Sequence, residues 1–166
     1  MFPRAALASS VLLIAGCSAV VPSQPKPQDV SEELVRVGNQ LLATAGTEED
    51  AREALRTAVR AKPGQQLVTL GGHWFTISHA TLDPLMKGET PLAASGRLVS
   101  QSLEVAEGTC VAFDAAATGR WKYTPPLNGL HTMSAVARGR QFVSVGIVLD
   151  GQCVKALSVE QAGPRS

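Results

Sequence analysis

The chain has 166 residues, 45% of them apolar and 17% charged, with a formal net charge of +1. That balance excludes an intrinsically disordered chain, and near-neutrality leaves no bulk field that would draw it to nucleic acid or to an anionic surface. The length suits one domain whose hydrophobic core needs neither a metal nor dense cross-linking.

The amino terminus opens Met1-Phe2-Pro3-Arg4, with a single positive charge. Ala5 to Ala15 then runs without a charge and contains Val11-Leu12-Leu13-Ile14. A cationic start followed by an apolar run of this length is the pattern of a signal peptide. It is too short to span a bilayer, which takes about 20 apolar residues. The run ends in Ile14-Ala15-Gly16-Cys17. Here the sequence resembles the bacterial lipoprotein family, whose signal ends in an aliphatic residue, two small residues and cysteine. The resemblance implies diacylglyceryl transfer to the Cys17 thiol, cleavage between Gly16 and Cys17, and often acylation of the new amino group. It implies a cell-envelope protein held on a membrane by lipid. Ser18 in place of an aspartate leans towards the outer membrane, facing the periplasm. Two or three acyl chains, at about 0.8 kcal/mol per buried methylene, would make the tether effectively permanent.

Lipidation of Cys17 leaves Cys110 and Cys153 as the only other cysteines. Disulfides persist in exported proteins, so a bridge between them is expected in preference to two free buried thiols. Closing a loop of about forty residues would stabilise the fold by at most about 4 kcal/mol.

Ser18 to Asp29 holds Pro22, Pro25 and Pro27 among Ser and Gln, and reads as an extended polar spacer. The expected organisation is a signal at 1–16, a lipidated linker at 17–30, one globular domain at 31–162 and a flexible tail at 163–166. Ser23-Gln24-Pro25-Lys26 matches a penicillin-binding motif, but it sits in the spacer without its partner motifs and is set aside. Ser31 is placed to cap a first helix, whose Leu34, Val35, Leu41 and Leu42 share a face, with Gly46 as its terminator. Thr47 is placed to cap a second, with Glu48, Glu49 and Asp50 in the first turn. Its apolar stripe is Ala51, Ala54, Leu55, Ala58 and Val59, and Lys62-Pro63-Gly64 ends it. Arg52, Arg56 and Arg60 form a separate row. It reads as a solvated face balanced by nearby glutamates, in preference to a dock for an acidic partner or lipid headgroups.

Beyond Gln65 the period becomes strand-like. Strands are expected at 65–70, 73–78, 97–106, 109–117, 120–123, 133–138, 141–149 and 152–160, with a brief helical turn at 81–87. Gly71-Gly72, Gly139 and Asp150-Gly151 are hairpin signals. Val143, Val145, Ile147 and Leu149 share one face and Phe142 and Val148 the other, which predicts a central strand partly covered on both sides. The fold class is therefore α+β: two amino-terminal helices packed on a mainly antiparallel β-sheet, with one disulfide.

Chemistry-bearing motifs are sparse. His73 and His79 fall on one strand face but about 20 Å apart, too far to share a metal. Ser144 lacks the first glycine of a nucleophile elbow. Asp114, Glu104 and Glu107 could meet on one sheet face, though nothing in the pattern makes them converge. No metal site, cofactor or catalytic residue is assigned, and the expected protein is not an enzyme. The segment richest in binding chemistry is Arg120, Trp121, Lys122, Tyr123, Pro125, Pro126 and His131, whose aromatics, cations and proline stiffening suit a protein partner. Core packing of Trp121 and Tyr123 is the simpler reading and is preferred, and more strongly so for Trp74-Phe75. The expected function is that of an accessory or assembly component of a secretion, conjugation or pilus-type complex. Its partners would be the membrane, through the lipid, and another envelope protein. The alternative is an immunity or hydrolase-inhibitor lipoprotein that plugs a toxin or enzyme with a protruding 121–131 loop.

Overall fold

Apolar residues at Val30, Leu34, Val37 and Leu41 recur at helical spacing, and all four are fully buried. They form the inner stripe of helix α1 (Pro27–Ala43) in a computed structural model that describes residues 27–47, 49–81 and 98–162. Proline at the first helical position loses no intrahelical hydrogen bond, and Asp29 places a carboxylate in the first turn. The helix thus begins inside the stretch expected to be spacer, and Ser31 is not its cap. Ser31 is instead wholly buried, and its hydroxyl accepts a 2.8 Å hydrogen bond from the Asp114 backbone amide. Gly46 closes a short 3-10 turn that follows the helix.

Helix α2 (Ala51–Ala58) is capped by Asp50, not Thr47. The Asp50 carboxylate accepts from the Arg52 amide at 2.8 Å, whereas Thr47 serves the turn before it by accepting from the Glu49 amide. Its expected stripe of Ala51, Ala54, Leu55, Ala58 and Val59 is buried throughout.

The strands are β1 (Leu67–Leu70), β2 (His73–Thr81), β3 (Leu98–Val105), β4 (Val111–Ala112), β5 (Lys122–Leu127), β6 (Leu130–Arg138), β7 (Phe142–Asp150) and β8 (Cys153–Ala162). All pairings are antiparallel, in the order β1-β2-β3-β8-β7-β6-β5. The short β4 lies beside β8, continuing the line of β3. The segment expected as one strand at 109–117 yields only β4. Asp114 then caps a 3-10 turn at Ala115–Thr118 by accepting from the Ala116 amide. Both Gly71 and Gly72 take positive φ, as a two-residue hairpin with the twist of its strands requires. The turn expected near 81–87 lies outside the described residues, apart from Thr81, which belongs to β2. The tail at 163–166 also lies outside them.

Register assigns the two faces of the sheet. Val143, Val145 and Ile147 pair with Gln161, Val159 and Leu157, and Leu157 pairs in turn with Leu103, which pairs with Ile77. These side chains are all buried beneath α1 and α2. The opposite face carries Ser102, Ser158, Gly146, Ser134 and Thr132 across β3, β8, β7 and β6, and no described helix covers it. Among the described residues the central strand is therefore helix-covered on one side only. Phe142 and Val148 lie on the other, half-buried. The architecture is α+β, with an antiparallel sheet of eight strands.

Cys110 and Cys153 form a disulfide, with Cα atoms 5.0 Å apart and a sequence separation of 43. Since Ala112 pairs with Cys153, the bridge fastens the chain entering β4 to the start of β8.

At Gly38 α1 packs closely on Trp121 and on Val145 of the sheet. A Cβ there would collide with the indole of Trp121 and crowd Val145. Gly38→Val is therefore expected to lower stability by about 1–3 kcal/mol through overpacking. Urea unfolding checks this, and Ala43→Val on the exposed side of the same helix is the control.

Candidate functional site

Strands β5 and β6 form a hairpin whose turn residues, Asn128 and Gly129, have φ of 54° and 83°. This is the positive-φ pair that a tight hairpin needs, and Asn-Gly is a strong local signal for it. The segment expected as a loop is thus mostly paired strand. Tyr123 faces Met133, Thr124 faces Thr132 and Leu127 faces Leu130, with a register shift between Thr124 and Leu127. Pro125 and Pro126 fall in that shift. Among the described strands β5 is an edge, where missing amide hydrogens cost no ladder bond.

The hairpin divides the expected binding residues. Trp121 is 8% exposed, its ring lies against Gly38, and its indole N–H donates to Asn39 Oδ1 at 3.2 Å. It is a core residue with a satisfied polar atom, as the simpler reading held. Tyr123, two residues on, is 55% exposed, which overturns that reading for the tyrosine. Its ring meets that of His131, centroids 5.5 Å apart and tilted by 52°. Lys122 is exposed on the opposite face, paired with Ser134, and Arg120 is exposed in the preceding turn. Pro125 and Pro126 are exposed beyond Tyr123, and Leu130 at the turn is 40% exposed. Tyr123 and His131 therefore form a ring pair open to solvent, with two exposed prolines following it in the chain; Trp121 lies below it in the core and Lys122 on the opposite face. Gly16 and Cys17 lie outside the described residues.

Outside the hairpin turn three exposed apolar residues were missed, Leu67 at 49% exposure and two others. Trp74, expected in the core, is 61% exposed because it alternates with Phe75, which is fully buried. Strand parity forbids both from facing the core. Val136, at 53%, is exposed by the same alternation. Parity in the Val68-Thr69-Leu70 run, read across the Gly71-Gly72 turn, would have revealed Trp74.

The other candidates do not converge. By register His73, His79 and His131 lie on the helix side of the sheet, while Ser144 lies on the far side between Val136 and Glu160, so no Ser144–His pair forms. Glu104 accepts a 2.7 Å hydrogen bond from Ser102, Asp114 is spent on its cap, and Glu107 lies in the turn after β3. Among the described residues no group of three or more His, Cys, Asp or Glu is placed to hold a metal, and no helix is long and apolar enough to cross a membrane. The chain matches no family model, no curated protein and no solved structure.

The split across the hairpin has a measurable consequence. Trp121→Ala is expected to cost about 3–5 kcal/mol of stability. Tyr123→Ala should stay within about 0.5 kcal/mol, as surface changes usually do. Paired denaturation curves of the two variants check both values.

Proposed function

We propose that the protein is a lipid-anchored, non-catalytic component of the bacterial cell envelope that binds another envelope protein. In this reading the precursor is cut before Cys17, the acylated cysteine anchors it in the outer membrane facing the periplasm, and the domain serves a secretion, conjugation or pilus-type complex. The observation that carries the binding role is the β5–β6 hairpin, which exposes Tyr123, Pro125, Pro126 and Leu130 on a backbone stiffened by two prolines and a tight turn. Such a surface loses little entropy on docking, and an exposed tyrosine offers apolar area with a hydrogen-bonding tip.

The tether supports a partner close to the membrane. The ordered helix starts at Pro27, only ten residue steps from Cys17. Even a fully extended chain of that length reaches no more than about 36 Å. An immunity or inhibitor protein would use the same hairpin to plug the cleft of a soluble hydrolase or toxin, so the partner's nature decides between the two readings.

A photo-crosslinking residue replacing Tyr123 in the full-length, membrane-bound protein tests this. A crosslink to a membrane-complex subunit is expected from position 123 and not from Thr57, which is exposed on α2. A crosslink to a soluble hydrolase or toxin would favour the inhibitor reading, and equal crosslinking from both positions would sink the hairpin. For the anchor, Cys17→Ser is expected to abolish labelled-palmitate incorporation. Continued uptake by that variant would refute lipidation at Cys17.

A further inference from the structure

Among the described residues Trp74 is the most exposed large apolar side chain, at 61%. It has company. Leu67 pairs with Thr76 and Trp74 with Thr69, so Leu67 and Trp74 share the sheet face that no described helix covers. They are diagonal neighbours across the β1–β2 ladder, within reach of an indole. Leu67 is 49% exposed, and the two make an apolar patch on the outer face of an edge hairpin.

The patch lies where the tether joins the domain. Gly71 packs on the Val30 backbone and its amide donates to Glu33 at 2.7 Å, which fixes the β1–β2 turn to the first turns of α1. Pro27 comes three residues before Val30 and Trp74 three after Gly71. At helical and extended rises this puts them within about 20 Å of each other. The ten residue steps from Cys17 to Pro27 span up to about 36 Å. A lipid-bearing Cys17 can therefore sit directly beside Trp74.

The surrounding charges select the kind of surface. Strands β1, β2 and β3 carry no Lys or Arg. Glu104, opposite Thr76, and Glu107, in the turn after β3, are both exposed. Anionic headgroups are held by clustered Lys and Arg, so they gain nothing here. A tryptophan, with an apolar body and an N–H tip, suits the uncharged interfacial layer of a bilayer.

We propose that Trp74, backed by Leu67, docks into the interface of the zwitterionic membrane that holds the lipid anchor, and so sets the orientation of the domain. This rests on the lipid-anchor reading above. One aromatic side chain binds a bilayer weakly, but a short tether makes the docking intramolecular, at roughly millimolar effective concentration. The contact leaves the β5–β6 hairpin free for a partner. Its turn lies at the same end of the sheet, but β6 is four strand spacings, about 19 Å, from β2.

Tryptophan fluorescence of the full-length lipidated protein, purified from membranes and reconstituted into phosphatidylcholine vesicles with brominated acyl chains, tests this. Trp121 is buried, so the difference between the parent chain and Trp74→Phe isolates the exposed indole. That emission should be blue-shifted and quenched by the brominated lipid. In the Trp74→Phe background, Thr57→Trp, exposed on α2 on the other side of the sheet, should show neither effect. Replacing part of the phosphatidylcholine by phosphatidylglycerol should not increase quenching of Trp74, and an increase would overturn the choice of surface. If the protein floats with the vesicles while Trp74 is unquenched, or while positions 74 and 57 are quenched equally, the docking is overturned and the anchor stands. Protein that carries no acyl chain by mass spectrometry overturns the anchor, and the docking with it.

Discussion

The fold depends on how closely α1 can approach the middle of the sheet. Its stripe of Val30, Leu34, Val37 and Leu41 is fully buried, and complete burial of one such side chain is worth about 1.5–3 kcal/mol. That contribution requires a short interaxial distance, and two glycines permit it. Gly38 leaves room for Trp121 and Val145, while at the other end of the helix Gly71 lies against the Val30 backbone. Polar contacts then fix the helix along its length. Glu33 accepts from the Gly71 amide at 2.7 Å, Ser31 accepts from Asp114, and Asn39 accepts from Trp121. The helix therefore ties the β1–β2 turn, the 3-10 turn after β4 and the start of β5 to one rigid element.

The sheet is closed at its other weak point by covalent chemistry. After β3 the chain turns away and returns for only two residues of ladder in β4. So short a strand contributes little pairing. Cys110–Cys153 holds it against β8. Farther along β8, Gln161 binds α2 by its first helical amide and the carbonyl before the cap. One strand thus carries both the disulfide and the docking point of the second helix, while β3 and β7 flank it.

Periodic features were legible in the sequence. The α2 stripe, the alternation of β3 and β7, the Gly71-Gly72 turn and the α+β class follow from spacing alone, because burial acts directly on spacing. What was not legible depended on tertiary partners. Ser31 has the chemistry of a cap, but Asp114 claims it from 83 residues away. Thr47 and Asp50 are equally plausible caps by type, and only the bond from the Arg52 amide selects Asp50. The strand expected across 109–117 is cut short where Asp114 begins a turn. In the candidate site Asn128-Gly129 was a local signal passed over because Pro125-Pro126 suggested loop; an edge strand tolerates prolines that a central strand would not.

The same prolines constrain how the hairpin can engage a partner. An exposed strand edge ordinarily invites another strand by backbone pairing. At β5 that route is interrupted, because Pro125 and Pro126 have no amide hydrogen and sit at a register irregularity. The opposite edge, β1, is only four residues long. As far as the described strands go, the sheet is thus poorly suited to strand addition at either end. In the proposed binding role, a partner of the hairpin would be recognised by side chains: the Tyr123–His131 ring pair, the prolines and Leu130. Recognition of that kind depends on the presented shape staying fixed, and this is supplied from beneath by Trp121, wedged against Gly38 and hydrogen-bonded to α1. The buried tryptophan and the exposed tyrosine two residues away are therefore parts of one device, the first setting the position of the second.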